Sequence, residues 1–135
     1  MTTPLPLAVT IGDPAGVGPE IVAHILAREA ELGLPPLRVV GEPVSPLRPG
    51  QPDRASAQCA LDALGQAVAM VRSGECSALV TGPVAKSAIA QIDPNFVGQT
   101  EFLADACGLP RENAVMMLAG PSLKTVPMTV HCALA

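Results

Sequence analysis

The feature that most constrains the fold is a glycine-rich segment between two apolar stretches near the start of the chain. Leu5–Ile11 is a nearly continuous apolar run, typical of a strand buried on both faces of a parallel sheet. Gly12–Gly18 interrupts this run, and the Pro19 and Glu20 that follow suit the first turn of a helix. A second strand is predicted over Leu37–Gly41. The chain therefore opens with a strand–loop–helix–strand unit of the kind found in α/β proteins.

Alternating apolar runs and turn residues predict the remaining elements. Asp53 can cap a helix over Arg54–Ser73, and a third strand is predicted over Ala78–Thr81. Two short helices and two final strands follow, over Val84–Ile89, Thr100–Cys107, Ala114–Leu118 and Thr125–Val130. The last connection is too short for a helical crossover, which leaves an antiparallel final pair open. We predict an α/β fold with a mostly parallel or mixed sheet flanked by helices, in a single domain over residues 1–135.

Composition and charge exclude several classes of protein. The 135 residues have a net charge of −4, no Trp or Tyr and only two Phe, so neither a nucleic-acid-binding surface nor a base-stacking platform is expected. No apolar run reaches the roughly 18 residues of a membrane span, and the N terminus lacks a basic secretory segment. We therefore expect a cytoplasmic location. The four cysteines are far apart and form no C-x-x-C motif, which argues against a disulfide scaffold or structural zinc site.

Two loops that follow predicted strands are candidate ligand sites. In the loop Gly12–Gly18, backbone N–H groups could approach an anion at the start of the helix, although the G-x-x-x-G-x-G spacing is not that of dinucleotide sites. The alternative is a purely structural turn. In Thr81–Lys86, the Lys86 ammonium could serve as a point charge for a carboxylate or phosphate, or it could be an ordinary surface lysine.

Two polar motifs lie in the second half of the chain. Gln99 and Thr100 precede a predicted helix and could present donors to an anionic group, unless Thr100 only caps that helix. His131 ends the last predicted strand, and imidazole is a common ligand for divalent transition metals. The other histidine, His24, lies in the first predicted helix and is expected to be a surface or core residue.

Taken in this order, the motifs resemble the 4-hydroxythreonine-4-phosphate dehydrogenase family of pyridoxal phosphate biosynthesis. The matching segments are GDPAGVGPE at 12–20, PGQPD at 49–53, LVTGPVAK at 79–86, GQTEFLA at 98–104, VMMLA at 115–119 and TVH at 129–131. The resemblance implies a fold like that of isocitrate and isopropylmalate dehydrogenases, in a homodimer whose active site lies between two domains. It also implies oxidation of the substrate hydroxyl by NAD, then loss of carbon dioxide. Three histidines would hold a divalent metal (zinc, cobalt, magnesium or manganese).

The resemblance also assigns roles to individual residues. It makes His131 the first metal histidine, and Gln99 and Thr100 two adjacent residues that bind the phosphorylated hydroxy amino acid. Lys86 corresponds to a family lysine near the cleft and is the candidate catalytic residue, while Ala85 replaces a residue that is usually polar. Gln99 stands where the family has histidine. Because glutamine carries no charge near neutral pH, weaker phosphate binding or a different substrate is expected.

The chain also departs from the family pattern. Family members are more than twice as long, and the stretch Val44–Pro49 is much shorter here than in the family. We therefore expect a truncated or internally deleted member that cannot complete the reaction alone, with the other two metal histidines and most of the NAD site beyond Ala135. One alternative is a catalytically silent remnant or partner-binding module that associates through uncovered apolar surface. Another is a small phosphate- or nucleotide-binding α/β domain built on the first loop.

Overall fold

The computed structural model describes residues 4–42 and 48–129, and the chain divides into two compact units, 1–96 and 97–135. The first unit is built on a parallel three-stranded sheet with the order β2–β1–β3. Its strands are β1 (Leu7–Thr10), β2 (Leu37–Val40) and β3 (Ala78–Val80). In this register Leu7 lies opposite Leu37 on one side and Ala78 on the other. The predicted parallel sheet and strand–loop–helix–strand opening are confirmed.

Three helices belong to this unit: α1 (Gly18–Leu26), α2 (Arg54–Arg72) and α3 (Lys86–Ile89). α2 packs against all three strands. Its buried face is made mostly of small side chains: Ala57, Ala60, Ala63, Leu64, Ala67 and Val68. Because alanine side chains are short, the helix can lie close to the sheet, where Ala8 and Val40 complete the core. No helix in the described part of the chain is long and apolar enough to cross a membrane.

The ends of α2 follow the predicted signals. Asp53 forms a reciprocal capping box with Ser56, in which the Ser56 N–H donates to Asp53 Oδ1 (2.9 Å) and the Asp53 N–H donates to Ser56 Oγ (2.9 Å). At the other end, Gly74 adopts a positive φ of 79°, a conformation that favours glycine and ends the helix. Cap and stop residues therefore determine the length of this helix locally.

The opposite face of the sheet is less well covered. An apolar cleft of about 430 Å³ lies between α1 and the strands, and Val9, Ile21 and Val80 are among its lining residues. Val80 is 48% exposed although it lies in a strand of the sheet. One face of the sheet is thus packed by α2, and the other retains accessible apolar surface.

The second unit contains α4 (Gln99–Ala106) and an antiparallel pair, β4 (Leu118–Ala119) with β5 (Lys124–Thr125). The antiparallel orientation agrees with the short connection, but the pair forms a two-stranded sheet of its own. Within the described residues, the mixed-sheet alternative is therefore wrong. The strands are also shorter than predicted, since their apolar flanks find no partner strand among the described residues. The end of the last predicted strand, at Val130, lies outside them.

Candidate functional site

The two predicted ligand loops meet at the carboxyl ends of β1 and β3. The Asp13 N–H donates to the Pro83 carbonyl oxygen (2.8 Å). The Gly82 N–H donates both to the Thr10 carbonyl oxygen (3.0 Å) and to Thr10 Oγ1 (3.0 Å). Thr10 is almost completely buried, so both of its acceptors are satisfied from the neighbouring loop. The structure thus brings Gly12–Gly18 and Thr81–Lys86 together at the sheet edge where α/β proteins commonly bind ligands.

The glycines of these loops allow the two backbones to touch. A Cβ atom on Gly12 would lie 2.2 Å from the Pro83 carbonyl oxygen, and one on Gly18 would lie 1.8 Å from the Ile11 carbonyl oxygen. At Gly82 it would lie 2.6 Å from the Gly12 nitrogen. The space that a side chain would need at these three positions is therefore filled by backbone. This geometry favours the structural-turn interpretation of the first loop.

Asp13 is the functional candidate that sequence reasoning missed. Its Oδ1 accepts a hydrogen bond from the Ala15 N–H (2.8 Å), and its Oδ2 is buried without a partner among the described residues. The whole residue is only 3% exposed. An aspartate at the start of a turn predicts the first of these bonds. Nothing in the local sequence predicts that the second oxygen lacks a donor.

Lys86 lies at the start of α3, beside these loops. Its side chain is exposed and makes no ion pair within the described part of the chain. α3 begins two residues later than predicted, so Val84 and Ala85 lie in the loop before the helix. This arrangement leaves the Lys86 ammonium accessible to an acidic ligand, which the catalytic prediction requires. The role itself stays a prediction.

Gln99 and Thr100 are the first two residues of α4, in the second unit. Gly98 occupies the capping position, so Thr100 lies inside the helix and the alternative that it only caps the helix is wrong. Both side chains are half-buried. The Phe102 N–H donates to the Gly98 carbonyl oxygen (3.1 Å), which closes the first turn of the helix. A hydroxyl, a side-chain amide and first-turn amides therefore share one end of this helix.

The predicted metal ligand His131 lies outside the described residues. His24 is exposed on α1, where its Nε2 lies 3.5 Å from Arg28 Nη1. In the described segments, no group of three or more His, Cys, Asp or Glu side chains could hold a metal ion. The three-histidine set implied by the resemblance is thus not formed there.

The three cysteines of the described residues differ in burial: Cys76 is buried, Cys59 is half-buried and Cys107 is exposed. Cys59, Cys76 and Cys107 are free thiols. Cys59 Sγ donates to the Glu42 carbonyl oxygen (2.8 Å) and so connects α2 to the end of β2. Burial raises the pKa of the Cys59 thiol, and nearby carboxylates raise it further. The thiol form, which is a poor nucleophile, is favoured at this position.

Comparison with known proteins gives one consistent family. Residues 20–135 match the family described as pyridoxal phosphate biosynthetic protein PdxA. The chain is 39% identical to the 4-hydroxythreonine-4-phosphate dehydrogenase of Zymomonas mobilis, over 93% of this chain and 48% of that protein. It is 38% identical to the enzyme of the same name from Erythrobacter litoralis, over 96% of this chain and 50% of that protein.

Solved structures agree with these relatives. A 4-hydroxythreonine-4-phosphate dehydrogenase from Burkholderia phymatum superposes with a TM-score of 0.81 at 25% identity, over 96% of this chain and 51% of that one. The enzyme of the same name from Klebsiella pneumoniae gives a TM-score of 0.75 at 26% identity, over 96% and 52% of the two chains. The chain spans about half the length of the curated relatives it matches. The aligned regions, 161 and 169 residues, are longer than the 135-residue chain, so these relatives contain internal residues that it lacks.

Proposed function

Because the chain belongs to the pyridoxal phosphate biosynthetic protein PdxA family, we propose that it carries part of a dehydrogenase site for a phosphorylated hydroxy amino acid. In this proposal Gln99 and Thr100 bind the substrate, Lys86 is the catalytic cation and His131 is a metal ligand. The observation that carries the proposal is the placement of Gln99 and Thr100 as the first two residues of α4. The relatives named 4-hydroxythreonine-4-phosphate dehydrogenase support the substrate class.

The chemistry of the α4 terminus suits a phosphorylated ligand. First-turn N–H groups point along the helix axis, and the helix dipole favours negative charge there. The Thr100 hydroxyl can add one donor and the Gln99 amide two more. Glu101 in the same turn opposes an anion, so the neutral donors of this helix end have to outweigh its charge.

NAD and a divalent metal complete the proposed reaction. NAD would accept the hydride, and the metal would polarise the reacting hydroxyl. The described residues do not fit a metal, since they contain no group of three or more suitable ligands. We therefore propose that the 135-residue chain does not complete the reaction alone.

Substrate binding tests the assignment of Thr100 without requiring turnover. We expect 4-phosphohydroxy-L-threonine to bind the wild-type chain and to perturb the amide resonances of Gln99 and Thr100. The variant Thr100→Val keeps the shape of the side chain but removes the hydroxyl. A hydrogen bond to a charged group contributes about 1.5–3 kcal/mol. The affinity of Thr100→Val for 4-phosphohydroxy-L-threonine should therefore be lower than that of the wild-type chain by roughly ten- to a hundredfold.

The control for this experiment is Thr125→Val, which makes the same change at an exposed position in β5. This variant should bind the substrate with wild-type affinity in the same calorimetric titration. Equal affinities of Thr100→Val and the wild-type chain would remove Thr100 from the proposed site. Absence of any binding by the wild-type chain would count against the whole substrate-binding assignment.

A second candidate function is that of a catalytically silent module that binds a partner. One observation favours it: the second unit exposes a run of large apolar side chains, namely Val115, Met117, Leu118, Leu123, Val126 and Met128. Met128 is 85% exposed and Val115 is 75% exposed. Large exposed apolar surface on a monomer commonly marks an interaction site. This candidate needs neither NAD nor a metal.

Sedimentation velocity separates this candidate from a monomeric protein. If the apolar surface of the second unit is an interface, the chain should sediment as species larger than its 13.7 kDa monomer, with a concentration-dependent distribution. Leu123→Lys should shift the distribution toward the monomer by placing a charge in that surface. Leu5→Lys introduces the same charge at an exposed leucine of the first unit and should leave the distribution unchanged. A wild-type chain that is monomeric at all concentrations would contradict this candidate.

A further inference from the structure

A small pocket lies beside the first loop and has no role in the proposed reaction. Its volume is about 260 Å³, and it is lined by parts of the Gly12–Gly18 loop, the segment around Gly50 and the loop that ends at Ala85. Asp13 is one of the lining residues and the only one that carries charge. The other lining residues are glycine, alanine, valine and proline. The pocket therefore combines apolar walls with a single carboxylate.

Only one of the two Asp13 carboxylate oxygens accepts a hydrogen bond among the described residues. Oδ1 is bonded to the Ala15 N–H, whereas Oδ2 is buried with no donor among the described residues. An ionised carboxylate that is buried without a partner is strongly destabilising, because it loses its hydration without compensation. Lys86 makes no ion pair with it, although this lysine directly follows Ala85 in the chain. A positively charged N–H donor would give Oδ2 both a hydrogen bond and a compensating charge.

The surroundings restrict the kind of cation. A metal ion is disfavoured, since the described residues place no group of three or more ligating side chains here or elsewhere. An anion would be repelled by the carboxylate. The apolar walls suit a ligand with a flat or aliphatic body, and Oδ2 requires an N–H donor. We propose that this pocket binds a small organic cation with N–H groups, such as imidazolium or a primary ammonium, through Asp13 Oδ2.

Binding requires a small movement, because Oδ2 is covered in the unbound chain. The segment around Gly50 forms one wall of the pocket. Gly50 is exposed, adopts a positive φ of 75°, and has no atoms within 4 Å of its Cβ position. It is joined to the loop by a hydrogen bond from its N–H to the Ala15 carbonyl oxygen (2.7 Å).

Thermal unfolding of the whole chain tests the proposal with imidazolium chloride as the probe, against sodium chloride at the same ionic strength. At about pH 5.5, where imidazole is mostly protonated, a ligand present at about tenfold its Kd should raise Tm by roughly 5 °C. Ammonium chloride should also raise Tm, whereas tetramethylammonium chloride, which has no N–H group, should not. An effect of tetramethylammonium equal to that of imidazolium would overturn the role of N–H donation.

Two variants make the result specific to Asp13. Asp13→Asn retains the Oδ1 acceptor for Ala15 but removes the charge, and it should abolish the Tm increase. Asp93→Asn is the matched control, since Asp93 Oδ1 accepts the Asn95 N–H (3.0 Å) in the same local pattern outside the pocket. This control should keep the full increase. No increase in the wild-type chain, or an equal one in Asp13→Asn, would overturn the proposal.

A third variant allows the proposal to be tested even if Asp13→Asn does not fold. Ala85→His places an imidazole in the pocket covalently, because Ala85 lines it. This variant should have a higher Tm than the wild-type chain without ligand, and added imidazolium should no longer raise it. An undiminished response to imidazolium in Ala85→His would contradict the assignment of the pocket. The outcome does not depend on the proposed dehydrogenase function, since no step of the test measures turnover or substrate binding.

Discussion

Replacing Gly12 with valine is expected to unfold the chain under conditions in which the wild-type protein is folded. Gly12 has a positive φ of 73°, and its Cβ position lies 2.2 Å from the Pro83 carbonyl oxygen and 2.7 Å from the Gly82 carbonyl carbon. Both neighbours are backbone atoms, so no side-chain rotation relieves the overlap. Backbone strain costs about 1–3 kcal/mol and forced overpacking about as much again. Together these two costs are a large fraction of the free energy of unfolding of a typical protein, which is roughly 5–15 kcal/mol.

The control for Gly12→Val is Gly65→Ala. Gly65 lies inside α2 with an ordinary helical φ, and no atom lies within 4 Å of its Cβ position. Alanine is the better helix former by about 1 kcal/mol, so this variant should be slightly more stable than the wild-type chain. Urea denaturation followed by circular dichroism measures both effects. A wild-type unfolding midpoint for Gly12→Val would show that the two loops are not in contact in solution.

The purified 135-residue chain is expected to produce no NADH from NAD and 4-phosphohydroxy-L-threonine, whether zinc, cobalt, magnesium or manganese is added. The physical reason is that the chain has too few histidines to form the metal site. The sequence contains two histidines, and one of them, His24, is exposed on α1 beside Arg28. Two histidines cannot provide the three-histidine set that the resemblance implies. Without that set, nothing polarises the substrate hydroxyl as the hydride leaves.

The positive control is the 4-hydroxythreonine-4-phosphate dehydrogenase of Zymomonas mobilis, a relative of about twice the length, assayed in the same buffer. NADH formation by the 135-residue chain above the rate without protein would contradict the expectation of inactivity. If NADH formation were observed, the rate of His131→Ala would show whether His131 takes part in it. Loss of the rate in His131→Ala would show that this histidine acts in a site assembled in another way, for example between copies of the chain.

Much of the fold could be predicted from local patterns. The bounds of α2 follow from Asp53, which caps it, and from Gly74, which ends it. The continuous apolar character of Leu5–Ile11 predicts a strand of a parallel sheet, and β1 pairs in parallel with both β2 and β3. The final strands were predicted too long. An apolar run becomes a strand only over the residues that find a hydrogen-bonding partner, and Leu118 and Ala119 are the ones paired in β4.

The candidate site was predictable only in part. The motif that contains Gln99 and Thr100 identifies the substrate-binding candidates from sequence, and the structure adds that both begin a helix. Their relation to Lys86 stays a prediction, as does the role of His131. The assignment of Thr100 as a cap failed because Gly98 already provides the extended residue that precedes the helix.

The sequence by itself determined the order of the elements, the caps of α2 and the family, because each depends on patterns that run along the chain. Only the tertiary structure decided what the first loop does. Gly12 is required by Gly82 and Pro83, about 70 residues away in sequence, which the pairing of β1 with β3 brings within hydrogen-bonding distance. The same contact between loops buries Asp13. A local pattern cannot show which distant backbone will fill the space beside a glycine or deprive a carboxylate of water.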